Sequence, residues 1–202
     1  MKELTKGLFI AIEGVDGAGS STQTKMLVSS LVKMGYPAFA TKEPNPEGSV
    51  EPLIRSLLKA SSENPALDAL LFAADRTDHV ERVIKPLLSS KKIVITDRYN
   101  ESSIAYQTAQ GLSERWVISI NRFAIKPDAT IILDIDPLIS LARKPPDRER
   151  YEKNEFLSKV RRNFIRRGLR RGYPIVDAAR PVEDVRKDIM NMVMPLIEKY
   201  SV

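Results

Sequence analysis

Gly14-Val15-Asp16-Gly17-Ala18-Gly19, followed at once by Ser20, Ser21 and Thr22, is a segment able to hold an anion. Glycines let successive backbone N–H groups turn toward one point, and a helix beginning there adds its partial positive charge. Ser21 stands where a hydroxyl would ligate a Mg²⁺ carried by a nucleotide. The run fits the phosphate-loop spacing G-x-x-x-x-G-K-S/T at every specified position but one, because Ser20 replaces the lysine. That lysine reaches the β and γ phosphates, so its absence removes one cation from the clamp around a transferring phosphoryl group. Lys25 is a poor substitute, since five helical residues displace it by about 7.5 Å. Arginines of the 143–150 stretch are better candidates. A dinucleotide loop, G-x-G-x-x-G counted from Gly14, needs glycine where Asp16 stands. A ligand-free glycine turn remains the alternative for the segment taken alone.

A second candidate is Asp97-Arg98-Tyr99, which ends the apolar run Ile93-Val94-Ile95-Thr96. A carboxylate and a guanidinium leaving the C-terminal end of a strand lie where open α/β sheets bind ligands, and an aspartate there helps hold Mg²⁺ in phosphate-loop enzymes. A salt-bridged structural pair is the competing reading. His79, the single histidine, reads as a hydrogen-bonding helix residue, because phosphoryl transfer depends on placement and charge neutralisation.

These residues need a scaffold, and short apolar runs alternating with longer helical patterns predict one: βα units around a mostly parallel sheet. Strands are expected at Leu8 to Glu13, Pro37 to Thr41, Ile93 to Asp97, Thr130 to Asp134 and Tyr173 to Asp177. Five strands fit one doubly wound sheet in a single domain of 202 residues. Helices are expected at Thr22 to Met34, stopped by Gly35, and at Pro181 to Tyr200, where Pro195 should kink the last turns. Further helices are expected at Ala66 to Ser89, Ser113 to Ala124 and Glu152 to Arg171. Arg143 to Tyr151, with two prolines and alternating charge, reads as a loop, and Trp116 as core or dimer interface.

Zero cysteines and one histidine exclude a thiol nucleophile, a disulfide framework and a structural zinc site. No apolar run approaches the roughly 20 residues that span a bilayer, and the first six residues are too polar for a secretory signal. The cytoplasm is the expected location, with no membrane partner. A net charge of +6 suits an acidic ligand, either a phosphate compound or a nucleic acid. Basic residues crowd between Arg143 and Arg171, as a solvated helix face or an anion contact.

The chain resembles the thymidylate kinase family along nearly its whole length, in six segments that follow the family's order. FIAIEGVDGAGSST is similar to its phosphate loop, TKEP to its TREP, and LLFAADRTDHVERVIKPLL to its LFxADRxxHxxxxIxPxL. VITDRYNESSIAYQ resembles VxxDRYxxSxxAYQ, LDIDPLISLAR with DRERYE the approach to and passage through the lid, and YPIVDAARPVEDV the adenine-side segment.

The resemblance implies a P-loop nucleoside monophosphate kinase with a small lid at about residues 143–152, using Mg²⁺ and ATP to phosphorylate dTMP. It implies a homodimer with no nucleic-acid partner. Residue by residue, it implies that Asp16 meets the sugar 3′-hydroxyl, Phe72 stacks on thymine, and Arg76 and Gln107 read the base edge. Arg55 and Arg98 would neutralise the acceptor phosphate, Glu43 would lie near acceptor and metal, and Tyr106 would line the sugar. Pro44 and Ser102 complete the acceptor side. Arg143 would flank adenine opposite Ala178, Arg180 and Pro181, while Ser21, Asp97 and Glu43 would hold Mg²⁺. Asp97, Arg98, Arg148 and Arg150 would be catalytic.

Some members of the family carry a loop arginine and others supply arginines from the lid. Gly17 shows none in the loop, so the chain looks like the lid-arginine kind. EPNPEGS departs from the family's EPGGT and blurs how residues 45–49 would meet the acceptor. Competing functions are a kinase for another nucleoside monophosphate such as dUMP, a weakened nucleotide-binding relative lacking the lysine, and a nucleic-acid binder using the basic 159–171 helix.

Overall fold

A computed structural model describes residues 2–59, 64–143 and 154–202. Five parallel strands, β1 (Leu8–Gly14), β2 (Ala38–Lys42), β3 (Ile93–Asp97), β4 (Ala129–Asp134) and β5 (Ile175–Asp177), form one sheet in the order β2-β3-β1-β4-β5. β1 and β3 are buried throughout, which is why their sequences read as unbroken apolar runs. Leu8, Ile10 and Ile12 of β1 point into one core, and Phe9 and Ala11 into the other. Each large aliphatic side chain so buried contributes about 1.5–3 kcal/mol. The register pairs Ile12 with Asp97, so the loop after β1 and the Asp97-Arg98 step leave the sheet side by side at its C-terminal edge.

The helices are α1 (Ser20–Lys33), α2 (Glu51–Lys59), α3 (Pro65–His79), α4 (Lys85–Ser89), α5 (Asn100–Ala109), α6 (Glu114–Ile120), α7 (Pro137–Ala142), α8 (Asn154–Arg171) and α9 (Val182–Lys199). Leu27 and Leu31 of α1 join Val185, Ile189, Val193 and Ile197 of α9 in the larger core. α1 is followed by Gly35 at φ 88°, as the sequence predicts. α9 continues through Pro195.

The helix expected from Ala66 to Ser89 is a helical stretch interrupted by a π turn at Val80–Ile84. Pro86 explains the turn: its ring would meet the carbonyl four residues back, and Lys85 N–H bonds to Val80 O instead. The helix expected to reach Ala124 ends at Ile120, because Asn121 turns inward, donating to Val117 O (2.8 Å) and accepting from Arg76 Nη1 (2.5 Å). β5 starts at Ile175 rather than Tyr173, since Pro174 has no N–H for the ladder. α2, α5 and α7 go beyond the sequence reading.

The basic run in α8 is a solvated face at Arg162, Arg166, Arg170 and Arg171, but on its inner side it is tied into the fold. Arg161 forks onto Asp134 (2.7 and 3.0 Å), and Arg167, 4% exposed, forks onto Glu101 (2.7 Å twice). Arg166, Arg167 and Arg170 converge on Glu114 of α6. These pairs fasten α8 to α5, α6 and the end of β4.

Candidate active site

The loop between β1 and α1 owes its shape to two glycines in the left-handed region, Gly17 at φ 81° and Gly19 at φ 94°. A Cβ at Gly17 would lie 2.3 Å from the carbonyl oxygen of Ser140 in α7, so no side chain fits there. Gly19 is the N-cap of α1 and makes no side-chain cap, leaving the first amides of the helix to a ligand. Ser20, at the lysine position, is the first residue of α1 and is buried.

Beside this loop, Ser21 Oγ donates to Asp97 Oδ2, while Asp97 Oδ1 is buried without a hydrogen-bond partner. A hydroxyl and a carboxylate with an unsatisfied oxygen are hard donors suited to Mg²⁺, which takes one or two carboxylates and completes its shell with phosphate and water. Glu43 is differently engaged. Its Oε2 lies 2.6 Å from Arg76 Nη2, and its Oε1 lies 3.2 Å from His79 Nδ1. His79 is fully buried and also contacts Thr41 Oγ1 (2.6 Å), as a hydrogen-bonding helix residue would.

Arg98 occupies the centre. Its backbone sits at φ 70°, which costs about 1–2 kcal/mol for a side chain with a Cβ. Arg98 N–H donates to Ile12 O (2.9 Å), and Thr96 Oγ1 donates to Arg98 O (2.8 Å), holding the strained residue from both sides. The guanidinium donates to Gly14 O (2.8 Å), Ser102 Oγ (3.2 Å) and Asp16 Oδ1 (2.9 Å). Burial pulls its pKa down, but Tyr106, Asp16, Asp97 and Glu13 around it reverse the shift, and it stays charged. Tyr106 OH donates to Asp16 Oδ2 (2.8 Å) and accepts from Asp16 N–H (3.0 Å).

Two cavities meet at Asp16 and Arg98. The smaller, about 130 Å³, is walled by Pro44, Leu58, Phe72 and Tyr106, with Glu43, Arg76, Ser102 and Gln107 among its polar residues. Arg76, 2% exposed, donates from Nη1 to Ser103 Oγ (2.9 Å) and from Nη2 to Tyr99 O (3.1 Å). Its Nε and the Gln107 Oε1 are buried atoms without hydrogen-bond partners. Tyr99 OH and, apart from its ion pair with Arg76, Glu43 Oε2 are likewise buried without hydrogen-bond partners around this cavity, so Arg76 Nε is a donor and Gln107 Oε1 an acceptor among several polar groups a ligand could meet.

The larger cavity, about 470 Å³, is lined by Asp16 to Gln23, Arg143, Ala178, Arg180, Val182 and Val185. Arg143 Nη1 donates to Ala178 O (3.1 Å), and Arg180 pairs with Asp188 (2.8 Å). Gly14, Val15 and Pro181 stand behind this lining: Gly14 O serves Arg98, Val15 O accepts from Ala18 N–H (3.0 Å), and Pro181 caps α9.

Arg55 is not brought to the smaller cavity. It lies half-exposed on α2, donating to Glu51 Oε1 (2.7 Å), while Leu58 of the same helix reaches the wall. Arg148 and Arg150 lie outside the described residues, as does nearly all of the expected lid.

Tyr99, read with Asp97 and Arg98, lines the smaller cavity; Ser103 and Leu58 there, and Gln23, Val182 and Val185 in the larger one, are not among the site residues read from the sequence. The departing segment 45–49 is held from below: Asn45 N–H donates to Asp75 Oδ2 (2.9 Å), and Gly48 N–H to Asn45 O (2.9 Å). The Glu43–Pro44 bond before it is cis. Asp75 is pushed up to about 6, chiefly by burial and further by Glu43, against the Asn45 bond.

A family model described as thymidylate kinase matches residues 12–189, from the end of β1 into α9. The chain belongs to the thymidylate kinase family. A protein of Pyrobaculum aerophilum described as "Probable thymidylate kinase" is 44% identical over 192 residues, covering 94% of this chain and 97% of its own length. A protein of Thermococcus gammatolerans with the same description is 41% identical, covering 93% of this chain and 96% of its own. A third, from Caldivirga maquilingensis, is 39% identical over 92% of this chain. The stretch shared with the thymidylate kinase family includes the glycine loop, both cavities' polar residues and the Asp97-Arg98 step.

Proposed function

We propose that the protein transfers the γ-phosphoryl group of ATP to the 5′-phosphate of dTMP, giving dTDP. The observation that carries this reading is the meeting of two unlike cavities at Asp16 and Arg98. One is a glycine loop at a helix N-terminus, suited to a triphosphate. The other offers an aromatic face with a donor and an acceptor among its polar groups, suited to a base that presents an N–H beside a carbonyl. Phe72 supplies the face, Arg76 Nε the donor and Gln107 Oε1 the acceptor.

Arg98 at the junction neutralises the acceptor phosphate, where a forked guanidinium suits phosphate oxygens. Asp16, with Tyr106 against it, takes the sugar 3′-hydroxyl, and Ser102 supports Arg98. Arg55 contributes to the acceptor phosphate by exchanging Glu51 for it. Arg143, Ala178, Arg180 and Pro181 flank the adenine. Ser21 and Asp97 would hold Mg²⁺, which would offset charge developing on the donor phosphates. Glu43 acts near the acceptor by holding Arg76 and serves the metal at most from a distance.

The attacking atom already belongs to a phosphate with little proton to lose, so alignment and charge neutralisation account for the rate. Arg148 and Arg150 of the lid, about residues 143–152, supply the cations that Ser20 leaves out. The chain works as one kinase domain, as a homodimer in the cytoplasm, without nucleic acid. Among the described residues no helix is long and apolar enough to cross a membrane.

The test is a coupled phosphotransfer assay with ATP and Mg²⁺, offering dTMP, dUMP and dCMP separately and running Ser20→Lys alongside. Turnover preferring dTMP supports the assignment. Preference for another acceptor moves the protein to a neighbouring specificity. A wild type that is inactive where Ser20→Lys is active identifies a relative whose chemistry has lapsed.

A further inference from the structure

Glu13, the penultimate residue of β1, is fully buried and lines none of the nucleotide cavities described above. Its two carboxylate oxygens are both used. Oε1 accepts the backbone N–H of Glu101 (3.0 Å), and Oε2 accepts the hydroxyl of Ser102 (2.5 Å). Both partners lie in the first turn of α5, a helix with no side-chain cap of its own. Glu13 therefore serves as the cap of α5 from across the sheet.

That helix carries Ser102, Ser103, Tyr106 and Gln107 into the acceptor cavity. Ser102 Oγ, while donating to Glu13, accepts from Arg98 Nη1 (3.2 Å), so an unbroken path runs from guanidinium through hydroxyl to carboxylate. Arg167 of α8 forks onto Glu101 alongside, which keeps the second carboxylate of this pair compensated.

We propose that Glu13 is a positioning residue of the acceptor site, setting the start of α5 and, through Ser102, the aim of the Arg98 guanidinium. The proposal rests on the assignment of the smaller cavity to the acceptor. Its charge is adjustable. Burial pushes the Glu13 carboxyl up to about 7, Glu101 adds to the rise, and Ser102, Arg98 and Arg76 oppose it. The ionised form accepts both bonds with charge assistance, whereas the protonated form must donate toward Ser102 and holds the turn less firmly. Raising the pH through about 7 therefore tightens the acceptor side, which holds the α5 residues, more than the ATP side, which shares only Arg98 of this path.

The experiment compares wild type, Glu13→Gln, Ser102→Ala and the double variant as full chains, titrating ATP and whichever nucleoside monophosphate the wild type uses best. Glu13→Gln should raise the acceptor KM about tenfold near pH 8, roughly one charge-assisted hydrogen bond, with kcat and ATP KM within about twofold. Near pH 6 the variant and wild type should converge. The difference between the two profiles is read, because the acceptor phosphate has its own ionisation near pH 6. Ser102→Ala should share the acceptor effect, and the double variant should be no worse than the poorer single one. Equal losses toward ATP and acceptor, an unchanged gap from pH 6 to 8, or additive singles would overturn the proposal. If Glu13→Gln fails to fold, a normal acceptor KM in Ser102→Ala overturns it as well. A wild type that prefers an acceptor other than dTMP overturns the substrate assignment only.

Discussion

On the acceptor side of Asp16 the wall consists of side chains already bonded to one another. Arg76 is held by Ser103, Asn121, Tyr99 and Glu43, and Arg98 by Gly14, Ser102 and Asp16. On the donor side, beyond the shared Arg98, the lining arginines are Arg143 and Arg180, each with one partner among the described residues. The cavities follow suit, about 130 Å³ against about 470 Å³. Charge on the acceptor side is thus set before any ligand arrives, and a ligand there meets dipoles that need little reorganisation. Charge on the donor side is short by one lysine and has to be completed when the site fills. A substrate phosphate that must be aligned to within ångströms benefits from the first arrangement; a leaving nucleotide benefits from the second.

That contrast can be broken most severely at Arg98. Arg98→Ala should lower kcat/KM for dTMP by about a thousandfold or more, since it removes the cation proposed to meet the phosphate and leaves Asp16 Oδ1 and Gly14 O without the donor they share. A loss under about tenfold in steady-state kinetics would show that the junction is not where the phosphate lies.

Next in size, Arg148→Ala or Arg150→Ala should reduce kcat about a hundredfold, and Ser20→Lys in the same chain should recover part of it. Unchanged losses with and without Ser20→Lys would end the idea that lid arginines stand in for the loop lysine.

A smaller effect sharpens the comparison from below. Asp75 ordinarily titrates at 3.8 and in the fold at about 6, so between these values the folded chain keeps a proton that the unfolded chain releases. Stability contributed by this group is greatest at low pH and falls as pH rises from about 4 to about 6. Asp75→Asn can still accept from Asn45 N–H, so thermal unfolding followed over that range should show the variant gaining on wild type as pH rises. Parallel curves would mean that the buried carboxyl is not carrying this cost. Smallest of all, Arg143→Ala should change the ATP KM only about threefold, because its guanidinium is partly exposed and makes one bond, to a carbonyl, among the described residues. A change as large as that at Arg98 would dissolve the distinction between the two sides.

How much of this could be read from residue order depends on how local each signal is. The glycine loop and Asp97-Arg98 stand at the ends of unbroken apolar runs, and their positions in the fold follow from strand and turn rules alone. α5 gives no such signal. From Glu101 to Gln107 every residue is buried, so polar and apolar positions show no solvent face to betray a helix. Glu13 reads as the end of a strand, since the N–H and hydroxyl that give it a purpose lie 88 and 89 residues away. The basic run of α8 was legible as charge but not as pairing, because Asp134, Glu101 and Glu114 come to it only through the sheet and two other helices. Pro86 was visible, yet the π turn it imposes required the preceding helix to be packed in place.

Gly17 carries a consequence for how this protein can change. Members of the family divide between an arginine in the glycine loop and arginines in the lid, and a single codon would nominally convert one kind into the other. Here the carbonyl of Ser140 occupies the space a first side-chain carbon would need, and the backbone at Gly17 is turned to φ 81°. Any replacement must first displace α7, the helix that leads into Arg143 and the lid. The step toward a loop arginine therefore disturbs the helix that precedes the segment whose arginines we propose to stand in for it, and the packing at Gly17 opposes that exchange.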